Sequence, residues 1–525
     1  MEQNTMSITL SDQDKSTLRT AAYGAVSLIA AAGAAGKPHK IATEGALALY
    51  TATGPVGHVL AAKSKDIDLT GKSVAELADQ VLPALTATMS LLAQQDPAEA
   101  SNFRTTVLVA IEAAQTHPGQ PGPATAEMAR KITAALHVTG VSTTHSGATV
   151  SNAVVGRDRP ELQQAIEEIV ESGFLGVSLR VHDERGEWVG SAGLAELGGT
   201  AKPPIDGHVR IASNTKTFTA TLVLQLVAEG KIGLDTPVAD YLPEFGLDER
   251  ITVRMLLQHT SGVFNFTGEM YEDGTIVLGI PAPSTPLGQE WVEDRFHTYQ
   301  PRELVELALS KPARFEPGTK WSYSNTNYVL ARLLIEQVTG RSFAAEMHRL
   351  ILGPLGLSST VVPETSPEIP EPHAHAYYRY EQDGVEKTVD VTRHNPSWAP
   401  GGGDMISTTQ DLATFISALL RGKLLPAELL AQMCTPHPTG IPTMDYGLGV
   451  FVRDLGPGGG IVITHNGGLA GYATLMCATP DGSKTMTASL TCVDDSAMSV
   501  AVPFQTAQQK LLAEVFGGGQ ADPAQ

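Results

Sequence analysis

Two groups of strand-like segments stand far apart in this chain, with a long helical stretch between them. Residues 175–182 and 187–192 alternate apolar and polar side chains around the turn Asp183-Glu184-Arg185-Gly186. Residues 446–453, 460–465, 472–478 and 485–492 are also rich in β-branched and apolar residues. Residues 214–435 read mostly as helices and loops. The expectation is a sheet assembled from both ends of one domain around a helical insertion. A short amphipathic helix over 159–171 precedes the first strands, and a last helix over 503–516 follows the final one. The fold class is α+β.

The chain has 525 residues, more than one compact core accommodates, so it divides into domains. Residues 1–140 read as an all-α domain, with cap signals at Ser11-Asp12-Gln13-Asp14 and Ser73-Val74-Ala75-Glu76. Helices are expected from Ser73 to about Gln94, and over 98–116 and 124–137. This part holds 12 Asp/Glu and 10 Lys/Arg, so 18 of the chain's 20 net negative charges fall beyond it. Residues 141–158, within a stretch rich in Thr, Ser, Gly and Val, read as a linker. Residues 159–516 form the second domain, and 517–525 a disordered tail.

A net charge of −20 with no Lys/Arg cluster argues against nucleic acid and against an anionic membrane as partners. Residues 20–36 are uncharged but mostly Ala and Gly, too short and weakly apolar to span a bilayer. Glu2, Asp12 and Asp14 give the N-terminus the wrong charge for a secretory leader, so a cytoplasmic location is expected. Cys434, Cys477 and Cys492 make no disulfide framework, and a tight Pro480-Asp481-Gly482 turn puts the last two out of register. His373-Ala374-His375 has no accompanying Cys or carboxylate cluster, so no metal and no cofactor are expected.

Only one serine is followed by lysine three residues later: Ser213, in Ile211-Ala212-Ser213-Asn214-Thr215-Lys216-Thr217-Phe218. Helical spacing puts Lys216 on the face of Ser213, where an amine can take the hydroxyl proton. Alone the pair is weak, since about one such match arises by chance in a chain this long. Tyr323-Ser324-Asn325 adds a phenol and an amide just before a helix over 327–339. The phenol can exchange a proton with the serine if neighbouring cations lower its pKa. The amide can hold a substrate carbonyl and orient the lysine. His465-Asn466-Gly467-Gly468 ends a β-branched strand; the histidine can assist proton transfer, and the glycines let substrate lie close to the backbone. The N–H groups of Ser213 and Gly468 are the candidate oxyanion hole, worth on the order of 3 kcal/mol each.

Ser-x-x-Lys, Tyr-x-Asn and His-x-Gly in this order resemble the penicillin-recognising serine hydrolases, a family that includes class C β-lactamases, soluble DD-carboxypeptidases, D-aminopeptidases and class VIII-type esterases. Leu224 to Lys231 with Leu234-Asp235, Ile251 to Gly262, and Ile406 to Leu412 extend the resemblance over about residues 160–516. It implies a β-lactamase/DD-peptidase-like fold, with an antiparallel sheet flanked by helices and a mostly helical subdomain. It also implies roles. Ser213 attacks a carbonyl, Lys216 and Tyr323 share the proton, Asn325 and Gly468 hold the substrate beside Gly467, and His465 stands where many relatives carry Lys. β-Lactams are then acylating ligands.

Two positions depart from the carboxypeptidase pattern. Phe451 and Gly468 occupy places where relatives hold a free carboxylate, with Arg453 two residues further along the strand as a substitute. Asp404 falls where relatives carry a small apolar residue, and is either an amine-binding group or a solvated loop acid. Trp398 resembles a substrate-wall residue, and Tyr271, Phe264 and Phe266 are candidates for the opposite wall. The expected activity is hydrolysis of a small-molecule or peptide amide or ester through an acyl-enzyme. An esterase, an acyltransferase and a non-turnover penicillin-binding sensor are the alternatives. Residues 1–140 are expected to serve self- or protein association.

Overall fold

In the computed structural model, the described residues are 10–32, 49, 54–61, 69, 73–95, 97–113, 123–137 and 159–517, except 272, 284–287, 383, 457 and 498. The expected linker and the tail beyond 517 lie outside them. The chain separates into two compact units, Met1–Val150 and Ser151–Gln525.

The first unit contains helices α1 (Asp12–Ala32), α2 (Gly54–Ala61), α3 (Val74–Gln95), α4 (Pro97–Ala113) and α5 (Pro123–His137). Both cap signals are used. The Ser11 hydroxyl accepts from the Asp14 N–H at 3.2 Å while Asp14 accepts from the Ser11 N–H at 2.9 Å, and the Ser73 hydroxyl accepts from the Glu76 N–H. Leu18, Ala22, Ile29, Val81, Leu85, Phe103, Val107 and Ile132 form its own buried core.

The second unit is built on an eight-stranded antiparallel sheet. Its strands are β1 (Gly176–Asp183), β2 (Gly186–Gly193), β3 (His437–Ile441), β4 (Met444–Tyr446), β5 (Phe451–Asp454), β6 (Ile461–Leu469), β7 (Tyr472–Ala478) and β8 (Thr485–Thr491). Their order is β2-β1-β8-β7-β6-β5-β4-β3, so the N-terminal hairpin pairs with the last strand and the two ends of the domain close one sheet. Cys477 lies opposite Met486, and Cys492 falls beyond β8, so the two thiols never face each other. The sequence read 446–453 as a single strand. The structure breaks it between Tyr446 and Phe451, because Gly449 turns with φ +80° and its carbonyl takes the Thr217 hydroxyl at 2.8 Å.

Helix α6 (Pro160–Glu171) begins at proline, whose missing N–H costs nothing there, and turns Leu162, Ile166 and Ile169 onto one face of the sheet. The C-terminal helix α10 (Ala501–Phe516) adds Leu511, Leu512 and Val515 to that face. The other face packs on α7 (Thr215–Ala228) and α9 (Thr409–Leu420), with α8 (Thr326–Thr339) behind. Helix α7 is buried on nearly every side, since Thr215 through Leu224 are all buried. A helix that carries apolar or small polar residues all round can only be a core helix. It delivers Ser213 and Lys216 to the junction between the sheet and the helical insertion.

Candidate active site

Ser213 sits in a 3-10 turn, Ala212–Asn214, that runs directly into α7. The turn is held in a strained shape, with Ala212 at φ 45° in the left-handed region. Three hydrogen bonds fix it. The Asn214 amide donates to the Ile211 carbonyl at 3.1 Å and to the Thr474 hydroxyl of β7 at 2.6 Å, and that hydroxyl donates to the same carbonyl. Strand β6 passes against this turn. A Cβ at Gly467 would come within 2.2 Å of the Ile211 carbonyl, so only glycine lets the strand lie there.

Sheet register places the oxyanion candidates. The Thr491 carbonyl faces β1, where Leu175 donates to it, so Leu490 bonds towards β7, and Ala473 towards β8. Gly468, opposite Ala473, therefore turns its N–H away from β7, onto the edge left open where β5 ends. The Gly468 Cα is exposed, with nothing within 4 Å of a Cβ position. Ser213 supplies the second N–H from the first turn of its helix, where amides lack intrahelical acceptors.

Lys216 is completely buried. Its Nζ reaches the Ser213 hydroxyl at 3.2 Å, Asn325 Oδ1 at 2.8 Å and the Gly402 carbonyl at 2.7 Å. Burial drives its pKa down from 10.5 to about 7, and the nearby Asp404 only partly opposes this. Two of its partners can only accept hydrogen bonds. A neutral amine spends its two N–H groups on them and leaves its lone pair for the Ser213 O–H. That is the arrangement of a general base.

Tyr323 and Asn325 come from the loop that leads into α8. The Asn325 N–H donates to Asn265 Oδ1 at 3.1 Å, and the Asn265 N–H donates to Glu269 at 3.1 Å. Lys216 Nζ lies 4.8 Å from the centre of the Tyr323 ring. Burial nevertheless pushes the phenol pKa well up, and its hydrogen bond with Ser213 only partly offsets this. Tyr323 is thus a neutral phenol at rest, contrary to the lowered pKa that neighbouring cations would give. Of the two groups beside Ser213, Lys216 is then the one whose pKa lies near neutrality.

His465 does not reach the proton path. Its Nδ1–H donates to the Asn466 carbonyl at 2.8 Å, which leaves Nε2 to accept from the Tyr446 hydroxyl at 3.2 Å. Burial, then Lys216, lowers its pKa to about 3, so the ring stays neutral. A share in proton transfer was expected of it; with both ring nitrogens occupied it is a buried strut under the open strand edge.

The remaining candidates divide. Arg453 lies on the sheet face covered by α10, in a groove with Gln509 and Leu512, whereas Val452 and Ile463 face the core around α7. It therefore cannot replace the missing carboxylate clamp. Phe451 packs edge-on against Tyr446 at 4.6 Å and lies 5.2 Å from the His465 ring. Phe264 and Phe266 are core residues, 1% and 0% exposed, and no substrate wall. Tyr271 is half-buried under the Arg314 guanidinium, 4.1 Å above its ring. Trp398 is half-buried beside Trp291, Arg295 and Tyr299. Asp404 is neither solvated nor open to an amine. It is 2% exposed, ion-paired with Arg332 at 3.1 Å, and accepts from the Gly401 N–H at 3.1 Å.

Three contributors escaped the sequence reading. The Gly402 carbonyl and Tyr446 left no local signal. His259 stood inside a recognised phrase without a role. It is fully buried at φ 63°, accepts from the Ser324 N–H at 3.2 Å, and lies 4.3 Å from the Tyr323 ring. Among the described residues no group of three or more His, Cys, Asp or Glu could hold a metal, and no helix is long and apolar enough to cross a membrane.

The chain matches known proteins over this same unit. The family model described as Beta-lactamase matches residues 162–505. The penicillin-binding protein 4* of Bacillus subtilis is 29% identical over 311 residues, 56% of this chain and 63% of that protein. Esterase EstB of Burkholderia gladioli is 29% identical over 269 residues, 46% of this chain and 65% of its own length. The chain thus spans somewhat under two thirds of each of these relatives. The crystal structure of a D-stereospecific amidohydrolase from Streptomyces sp. aligns at 36% identity and a TM-score of 0.59, covering 70% of this chain and all of that one.

Proposed function

We propose that this chain, which belongs to the beta-lactamase family, is a serine hydrolase that cleaves amide or ester bonds through an acyl-enzyme on Ser213. The observation that carries the reading is Lys216. A fully buried amine with a pKa near 7, hydrogen-bonded to two pure acceptors and to the Ser213 hydroxyl, has no structural use that a neutral side chain would not serve better. In acylation the Ser213 oxygen attacks the substrate carbonyl and its proton passes to Lys216. The developing oxyanion lies between the N–H groups of Ser213 and Gly468. Tyr323, held neutral, gives its proton to the leaving amine or alcohol and becomes the phenolate. Water then attacks the ester, Tyr323 takes a proton from it, and Lys216 returns its proton to Ser213. Every group ends as it began.

The substrate reading rests on what the site lacks. With Phe451 at the entry to β5 and Arg453 on the far face, neither position where relatives clamp a carboxylate offers a guanidinium to the site. A small molecule or peptide whose scissile group is an amide or ester, without a free carboxylate on the leaving side, fits better. The likeness to a D-stereospecific amidohydrolase supports a D-configured acyl part. A cytoplasmic location is supported by the free state of Cys434, Cys477 and Cys492. Association through residues 1–140 is supported by that unit's separate core.

The test sets D-alanine p-nitroanilide, p-nitrophenyl butyrate and a fluorescent penicillin against the native protein and Ser213→Ala. The native protein releases both chromophores, and Ser213→Ala releases neither and takes no label. Full activity in Ser213→Ala would refute the assignment. Stable labelling without turnover would make the protein a sensor.

A further inference from the structure

Below the site, one carboxylate has no part in the chemistry yet is built into it. Asp404 closes the loop Gly401-Gly402-Gly403, accepting the Gly401 N–H on Oδ1 and Arg332 on Oδ2. That loop is clamped to one side of α7 by successive hydrogen bonds. The Thr219 hydroxyl donates to the Gly401 carbonyl at 2.7 Å, Lys216 donates to the Gly402 carbonyl at 2.7 Å, and the Met405 N–H donates to the Thr215 hydroxyl at 3.3 Å. The Gly402 carbonyl is therefore aimed by groups on both sides of it, and Asp404 is the carboxylate bonded to the loop. Arg332 is itself held by Glu364 and Glu336, so the carboxylate cannot swing away without leaving a buried guanidinium short of a partner.

We propose that Asp404 is a positioning residue for acylation: it sets the loop carbonyl that holds Lys216 against Ser213, and faces that amine with the one negative charge near it. This rests on the assignment of Ser213 and Lys216 above. Among the described residues, the other groups around Lys216 carry no competing negative charge. Ser213, Tyr323 and Tyr328 present hydroxyls and ring faces, and His259 and His465 are imidazoles that burial keeps neutral. Facing Asp404 are Arg332 and, beyond it, Glu364. Removing the carboxylate charge strips Lys216 of its only electrostatic support and leaves Arg332 undercompensated, and both changes make its proton easier to lose.

The experiment follows acylation by p-nitrophenyl butyrate from pH 5 to 9 in the native protein, in Asp404→Asn, in Asp404→Ala, and in Asp404→Asn combined with Arg332→Gln. The double variant leaves no buried charge unpaired, and so remains available if the single one does not fold. In Asp404→Asn the acidic limb moves down by about one pH unit, as loss of a nearby opposite charge requires, and in the double variant it moves the same way by less, because the Arg332 cation is gone too. The rate on the plateau changes little in Asp404→Asn, whose amide oxygen still accepts the Gly401 N–H, and falls several-fold in Asp404→Ala, which lacks that acceptor. A merely structural role would lower yield or melting temperature and leave the limb in place. An unmoved limb in a folded variant overturns the proposal. If the native protein shows no Ser213-dependent acylation at all, it is the underlying assignment that fails.

Discussion

Two buried cations lie on either side of one glycine loop, and the fold treats them oppositely. Lys216 is surrounded by neutral acceptors, the Asn325 amide oxygen, the Gly402 carbonyl and the Ser213 hydroxyl, and burial pulls its pKa to about 7. Arg332 suffers the same burial, but Asp404, Glu364 and Glu336 outweigh it and hold its pKa above the ordinary value. It also lies over the Phe343 ring at 5.1 Å. The difference lies in the partners rather than the depth. Carbonyls bind a charged or a neutral amine, whereas carboxylates insist on the cation. The molecule thus keeps a permanent charge for architecture and a removable proton for chemistry, and Asp404 touches both regions.

The largest effect should come from breaking the permanent pair. Arg332→Ala leaves Asp404 buried without a counter-charge, and costs about 3–5 kcal/mol near neutral pH, measured by denaturant unfolding. A loss under about 1 kcal/mol would mean that the cage is as weak as a surface ion pair.

Lys216→Met should act in the other direction and by less. The folded pKa of Lys216 lies below its ordinary value of 10.5, so between about pH 7 and 10.5 the unfolded chain binds more protons than the folded one. Stability from this group therefore rises with pH through that window, and below pH 7 the folded protein carries the full cost of a buried ammonium. Acylation is abolished in Lys216→Met, yet its melting temperature exceeds the native value at pH 6, and the gap closes towards pH 10. A variant less stable than the native protein at pH 6 would show that Lys216 is held as a structural cation, like Arg332.

Sequence made only one side of this comparison visible. Ser213 and Lys216 could be read because helical spacing is local, and Tyr323 and Asn325 because they share one short loop. The sheet closing from both ends was legible in the hydrophobic alternation of its strands. What failed depended on contacts across the chain. Arg332 and Asp404 lie 72 residues apart, and no periodicity connects them. Strand parity would put Arg453 on the face of Phe451, yet the Phe451 ring packs on Tyr446 and His465 while Arg453 lines the groove under α10. His465 looked like a proton carrier because its second partner, Tyr446, comes from β4, two strands away in the sheet. The fall in the Lys216 pKa and the rise in that of Tyr323 both come from burial, which depends on the whole packed unit.

In the proposed mechanism Ser213 becomes a nucleophile when Lys216 loses its proton. Intact-protein mass spectrometry of acylation by p-nitrophenyl butyrate across pH 5 to 9, with the modified peptide sequenced, tests this step. The predicted result is one acyl group, on Ser213, with a rate that rises through a midpoint near pH 7 and is absent in Ser213→Ala. An acyl group on another residue, or a Ser213 rate that stays flat between pH 6 and 8, would contradict it.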